Sequence, residues 1–283
     1  MTFAPESSQA DTPPQGQSST VDSGANAAPS DVLLSLRGLS KHFGPVQAMQ
    51  NVDLDVPAGQ VTALIGDNGA GKTTLIKTIA GIWAPSSGHI YWNGEEVHIH
   101  TPRDASDLGI ATVYQDLALC DNLDIVENLY LGNEPTKLGM LDEIKMELAT
   151  VQTLKDLAVT TVKSVRQKVE SLSGGQRQAV AVARAVTRES KLVIMDEPTA
   201  ALGVSQTAQV IGLIKTLASR GVAVIVISHN LLDVFEVADR IAVMYLGALV
   251  SSGPASNYDT GSAVEIITTG TMSSGSLSLT SSK

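Results

Sequence analysis

Eight residues constrain this chain more than any others: Gly66-Asp-Asn-Gly-Ala-Gly-Lys-Thr73, set directly after the apolar run Val61-Thr-Ala-Leu-Ile65. They fit the pattern G-x-x-x-x-G-K-[ST] in a strand–loop–helix context. Gly66, Gly69 and Gly71 let the backbone wrap closely, so that N–H groups of the loop, through Asp67, Asn68 and Ala70, converge on phosphate oxygens. The helix opening at Lys72 turns its positive end to the same anion, with Thr73 and Thr74 in its first turn. Lys72 is expected to reach the β- and γ-phosphates of ATP, and the Thr73 hydroxyl to ligate Mg²⁺.

A second apolar run, Leu192-Val-Ile-Met195, ends in Asp196-Glu197-Pro198. An acid at the C-terminal end of a parallel strand points into the crevice where such sheets bind ligands. Asp196 is therefore expected to hold Mg²⁺, and Glu197 to be the general base that polarises the water attacking the γ-phosphate. Two adjacent acids are needed because the metal occupies one of them. Read alone, the pair could equally cap the next element; beside a phosphate loop it reads as chemistry.

The architecture follows from the same runs. Val61–Ile65, Leu192–Met195 and Val222–Ile227 are continuous apolar segments of strand length, and helical patterns follow at Lys72–Ala80, Ser205–Ser219 and Leu231–Ala238. That rhythm predicts an α/β fold with a mostly parallel core sheet buried on both faces. Val32–Leu36, Ala48–Val56 and His89–Trp92 read as an antiparallel β subdomain, and roughly 117–188 as a helical subdomain. The domain is expected to span residues 32–252. Residues 1–31, rich in Pro, Gln, Ser, Gly and Ala, read as a disordered tail, and 253–283 as a Ser/Thr/Gly-rich tail in which Ala263–Ile267 is an apolar patch able to dock locally.

Charge and composition exclude several classes. The 283 residues carry 19 basic and 29 acidic side chains, a net −10, which disfavours nucleic acid as a partner. No stretch reaches the ~18–20 consecutive apolar residues that cross a bilayer, and the first 31 residues lack a signal peptide's basic n-region and apolar core. The single cysteine, Cys120, fits a reducing compartment. Together these predict a cytoplasmic protein.

A third motif separates this chain from other phosphate-loop ATPases. Leu172-Ser-Gly-Gly-Gln-Arg-Gln178 lies 101 residues after Lys72 and 23 before Asp196, counted from Ser173. Ser173 is a good N-cap, and Gly174, Gly175 and Gln176 expose N–H groups at the start of an amphipathic helix, which makes a second anion site. In isolation the heptapeptide could be a Ser-Gly linker. With its spacing it resembles the ABC signature motif, and the chain resembles ABC transporter ATP-binding subunits over about residues 32–252. The fold implied is a P-loop NTPase ABC cassette.

That resemblance implies a head-to-tail pair of cassettes, most simply a homodimer, in which Ser173, Gly174 and Gly175 of one subunit close over the γ-phosphate held by the other. It implies that Phe43, 29 residues before Lys72, stacks on adenine, although an ordinary core aromatic fits that position too. Gln115, by itself a polar loop residue, is implied as the Q-loop glutamine that senses Mg²⁺ and the transporter interface. His229, by itself a strand-end histidine, is implied as the switch residue contacting the γ-phosphate. Further implied partners are transmembrane permease subunits and, indirectly, an extracytoplasmic solute-binding protein, with the subunit peripheral on the cytoplasmic face of the membrane.

Thr199-Ala-Ala-Leu-Gly203, Cys120-Asp-Asn-Leu-Asp124 and the stretch from His229 to Asp239 are similar to the ribose-, xylose- and fructose-type importer ATPases. This implies uptake of a monosaccharide, with another small polar solute as the alternative. A soluble ABC ATPase acting on DNA or ribosomes is the rival from a different class; the basic surface, second cassette or coiled-coil insertion expected of it is missing. Gly203 departs from the family, whose corresponding loop commonly ends in Asp.

Overall fold

The computed structural model describes Met1 and residues 32–187 and 189–271. The rest of the N-terminal segment expected to be a tail, and residues 272–283, lie outside the described residues. In chain order the elements are β1 (Val32–Phe43), β2 (Val46–Pro57), β3 (Val61–Gly66), α1 (Lys72–Ile79), β4 (Ser87–Trp92) and β5 (Glu95–Val97). Then come α2 (Pro102–Asp107), β6 (Ile110–Val113), α3 (Ile125–Tyr130), β7 (Thr136–Lys137), β8 (Met140–Leu141), α4 (Glu143–Asp156) and α5 (Gly174–Thr187). The last are β9 (Leu192–Asp196), α6 (Val204–Ser219), β10 (Ala223–Ile227), α7 (Leu231–Val237), β11 (Arg240–Tyr245), β12 (Ala248–Pro254) and α8 (Thr260–Thr269).

The central sheet has the order β12-β11-β3-β10-β9-β6. Its neighbours pair in parallel from β11 to β6, and β12 alone runs antiparallel on the edge. Alternation along each strand explains the continuous apolar runs. Leu192, Ile194, Ala223, Ile225 and Ile227 point to the layer shared with the antiparallel sheet β2-β1-β4-β5. Val193, Met195, Val224 and Val226 point the other way, into the layer formed by α3, α5 and α6. Both faces are covered, so neither can be polar.

β1 extends past the expected Leu36 to Phe43, pairing with β2 on one side and β4 on the other through register shifts near Gly38. Between Leu117 and Arg188 the described residues hold α3, α4 and α5. They also hold the small β7–β8 hairpin, two residues a strand, within the region expected to be helical. No helix among the described residues is long and apolar enough to cross a membrane.

The boundary at residue 252 is corrected by the structure. β12 continues to Pro254, and the apolar patch Ala263–Ile267 belongs to a ten-residue helix, α8. Asp259 caps that helix by accepting from the Ser262 N–H at 2.7 Å. Ala263 and Ile266 are buried against Ile241 and Val243 of β11, with Val234 of α7. The patch read as able to dock locally does dock, and two or three anchoring side chains suffice to hold a short capped helix in an otherwise Ser/Thr/Gly-rich segment. Ile266→Ala is expected to lower stability by about 2–5 kcal/mol, the cost of emptying a buried isoleucine site. Urea unfolding checks this, and a change below about 0.5 kcal/mol, the usual size of a surface substitution, would mean the helix does not dock.

Candidate functional site

β3, β9 and β10 end at the same edge of the central sheet, and their last residues open a cleft of about 830 Å³. Gly66 closes β3 at φ 152°, where a Cβ would stand 2.3 Å from the Met244 carbonyl oxygen of β11. Only glycine fits that crowded turn. Gly71, at φ 102°, has the Ala48 carbonyl oxygen 2.9 Å from its would-be Cβ, so β2 presses on the loop from behind. The β11–β12 turn adds a second brace: the Gly247 N–H donates to the Ala70 carbonyl at 3.0 Å, and the Gln50 N–H to the Gly247 carbonyl at 2.8 Å.

α1 begins at Lys72 with no side-chain cap and no acid in its first turn. Its leading N–H groups and the positive end of its dipole are thus left for an anion. The Lys72 ammonium folds over the loop and donates to the carbonyl oxygens of Gly66 (2.7 Å) and Asp67 (3.0 Å). Burial holds its pKa below the ordinary lysine value, against the opposing pull of Glu197, Asp67 and Asp196.

Asp196 shows the converse. Burial, and then the charge of Glu197, push its carboxyl above the ordinary aspartate range, with Lys72 and Lys77 opposing. Two carboxylates crowded beside one partly buried ammonium suit a divalent cation, whose charge would relieve the repulsion. Thr73 and Gln115 line the same cleft with hard oxygen atoms. The donor set therefore fits a hard divalent cation such as Mg²⁺.

Glu197 is held in an unusual way. Its φ is 52°, in the left-handed region that costs a non-glycine residue on the order of 1 kcal/mol. The Glu197 N–H donates to the Ile227 carbonyl of β10 at 2.9 Å, which fixes the turn after β9. Its carboxylate Oε2 lies 2.8 Å from Nδ1 of His229, whose side chain is 74% exposed against 19% for Glu197. His229 itself is placed by Ser228, which accepts from the Asn230 N–H, and by Asn230, which caps α7. Thr199 donates to Asp233 of α7 at 2.7 Å, joining the loop after Glu197 to the helix after His229.

The cleft thus brings together Gly66 through Thr74, Gln115, Asp196, Glu197 and His229. It does not include Phe43 or residues 173–176. Phe43 ends β1 packed edge-on to Trp83, ring centroids 4.9 Å apart, while the β2 wall of the cleft is Val46, Gln47 and Ala48. Ser173 and Gln176 form a reciprocal cap at α5: the Ser173 N–H donates to Gln176 Oε1 at 2.9 Å, and the Gln176 N–H to Ser173 Oγ at 3.4 Å. The Gln176 amide nitrogen also donates to the Thr161 carbonyl at 2.6 Å, so this side chain is a brace within its own subunit. Gly174 lies where a Cβ would come 2.8 Å from a terminal methyl of Leu202, so the start of α5 packs closely on the loop before α6.

Leu246, Gly247, Ala48 and Ala200 also line the cleft and were not expected there. The apolar run Ile241-Ala-Val-Met244 followed by Tyr-Leu-Gly247 could have flagged a strand and tight turn. Ala48 and Ala200 carry no sequence signal, because only the fold brings them near. Lys72→Met is expected to leave the fold intact and to weaken binding of ATP at least about tenfold, since a charge-assisted contact to phosphate is lost. Isothermal titration checks this; unchanged affinity would remove Lys72 from the phosphate site.

A family model for ABC transporters matches residues 49–200. The chain is 44% identical to a fructose import ATP-binding protein of Rhizobium meliloti over 243 residues, covering 83% of this chain and 94% of that one. It is 45% identical to a xylose/arabinose import ATP-binding protein of Sulfolobus acidocaldarius, covering 77% and 86%. A ribose import ATP-binding protein of Streptomyces coelicolor is 40% identical over 78% of this chain, which spans 44% of that relative's length. Among solved structures, an ATP-binding cassette of an ABC transporter in its ADP conformation superposes with a TM-score of 0.71 at 26% identity, covering 83% and 94%. A dimeric cassette bound to ADP and phosphate shares the fold, with a TM-score of 0.66 at 23% identity.

Proposed function

Because the chain belongs to the ABC transporter family as an ATP-binding cassette, we propose that it hydrolyses ATP to drive uptake of a monosaccharide through a membrane permease. Convergence of the phosphate loop with Asp196, Glu197, His229 and Gln115 in one cleft is the observation that carries the ATPase reading. The sugar reading is supported by the fructose and xylose/arabinose relatives, which match over most of their own length.

In this reading the loop N–H groups and Lys72 bind the phosphates, and Thr73, Asp196 and Gln115 hold Mg²⁺. The metal, when bound, neutralises charge on the bridging and terminal phosphate oxygens. Glu197, fixed by its N–H bond to Ile227, orients a water in line with the γ-phosphate and accepts its proton as the new P–O bond forms and the bond to the β-phosphate oxygen breaks. His229, within reach of Glu197, orients that carboxylate and contacts the γ-phosphate. Phe43, 40% exposed beside Val46 of the cleft wall, stacks on the adenine.

Ser173, Gly174 and Gly175 stand outside the chain's own cleft, which supports their use against the cleft of a second copy. Closure of two copies on two nucleotides, and reopening after hydrolysis, then moves permease helices docked beside Gln115. The chain sits on the cytoplasmic membrane face through that permease, and an external binding protein selects the sugar.

Glu197→Gln is expected to bind MgATP, to lose turnover by roughly 10²–10⁴-fold and to accumulate as an ATP-bound dimer. Phosphate release with size-exclusion light scattering checks both parts. Near-normal turnover would remove Glu197 from the mechanism.

A further inference from the structure

Phe43 ends β1 at the turn into β2, where it pairs with Val46, and it is 40% exposed. A ring so exposed at a strand end is not aimed by the sheet; its aim comes from the side chains it touches. Trp83 meets it edge-on, with centroids 4.9 Å apart and planes at 76°, and the Lys41 ammonium lies 5.1 Å from its centroid. Trp83 is in turn fixed at both ends of its segment. Its own N–H and that of Ile82 donate to the Lys77 carbonyl near the end of α1, at 3.2 and 2.9 Å. Gly81, at φ 73°, makes the turn off the helix where a Cβ would stand 2.2 Å from the Thr101 carbonyl oxygen. On the other side Lys41 Nζ donates to the Ala84 carbonyl at 2.7 Å, and the Ser86 N–H to the Ser40 carbonyl at 2.8 Å, which ties the segment to β1. The Lys77 ammonium, 4.8 Å from the Trp83 ring centroid, completes the seat of the indole.

Trp83 thus stands between the helix that opens at the phosphate loop and the strand that ends in Phe43, yet it does not line the cleft. We propose that Trp83 is a positioning residue for the base: its edge-on contact holds the Phe43 ring in the attitude in which adenine stacks on it. This rests on the adenine role given to Phe43 above. Phenylalanine carries no polar group that could anchor its own ring, so the aim depends on packing alone. The edge-to-face arrangement favours one ring orientation over the others. A ring already ordered loses little rotamer freedom when the base arrives, so the contact tightens binding of the base. Binding of the phosphates, which rests on the loop N–H groups and Lys72, is untouched by it.

The test titrates the full chain with MgADP and with magnesium pyrophosphate, which offers the same phosphates without a base. Phe43→Ala is expected to weaken ADP at least about fivefold, the size of a lost base–aromatic stack. Trp83→Leu is expected to weaken it about threefold to tenfold, the size of a lost edge-to-face pair. Both are expected to leave the pyrophosphate dissociation constant unchanged. Trp83→Phe, which keeps an aromatic edge, is expected to restore most of the ADP affinity. Phe43→Ala combined with Trp83→Leu is expected to bind ADP no more weakly than Phe43→Ala alone, because Trp83 acts only through that ring. Trp83→Met, whose side chain adapts to irregular gaps, takes the place of Trp83→Leu should the latter not fold. ADP affinity unchanged in Trp83→Leu, equal weakening of ADP and pyrophosphate, or additive losses in the double variant overturns the proposal. If Phe43→Ala leaves ADP affinity unchanged, the adenine role of Phe43 fails and takes the proposal with it. If the unaltered chain binds neither ligand, the ATPase reading itself fails.

Discussion

Strand β3 lies between two strands parallel to it, β10 and β11, and the phosphate loop hangs from its C-terminal end. Parallel pairing on both sides fixes where that end stops, because a one-residue slip would turn every side chain to the wrong face. At the stopping point Gly66 meets the Met244 carbonyl too closely for any Cβ. The loop is thus shaped by main chain pressing on main chain, from β11 at Gly66 and from β2 at Gly71. Its N–H groups are arranged before any anion arrives, which is what an anion site requires of a backbone.

From that fixed edge the catalytic groups follow by register. Asp196 pairs with Ile227 across β9 and β10, so the end of one strand presents the acids while the end of the other leads to His229. The bond from Glu197 N–H to Ile227 ties the two turns together. Strain at Glu197 is thereby offset by a hydrogen bond that also aims the carboxylate, and the Thr199–Asp233 bond keeps the following helix in step. Nearly all of the cleft is built on the rigid sheet. Ser173–Gly175 stand at the start of α5, outside that cleft, on a helix whose buried side chains share a core with β9 and β10.

The sequence made the sheet legible where strands were buried on both faces and followed by helices, as at β3, β9 and β10. β6 and β12 were missed because their short runs of mixed polarity carry no clear period, whereas the apolar run Ile241–Met244 of β11 was there to be read. The docking patch of α8, Ala263–Ile267, was legible, but the helix around it was not, because its Ser- and Thr-rich composition carries little helical signal. Within the site, the phosphate loop, Asp196 and Glu197 could be read because their chemistry is local in sequence. Ala48, Ala200 and Gly247 could not, since their roles come from non-local packing. Phe43 was placed by its spacing to Lys72 alone, and its edge-on contact with Trp83 carried no sequence signal.

In the proposed mechanism one chain's phosphate cleft is completed by another chain's Ser173–Gly175. The most direct test mixes two inactive variants, Lys72→Met and Ser173→Arg, and measures phosphate release from MgATP. In a mixed dimer the Ser173→Arg chain supplies an intact cleft and the Lys72→Met chain an intact signature, so one composite site is whole. The account predicts that turnover, absent from either variant alone, returns on mixing and rises with the fraction of mixed dimer. A mixture as inactive as its components, with mixed dimers shown to form, would contradict it and place the whole site within a single chain.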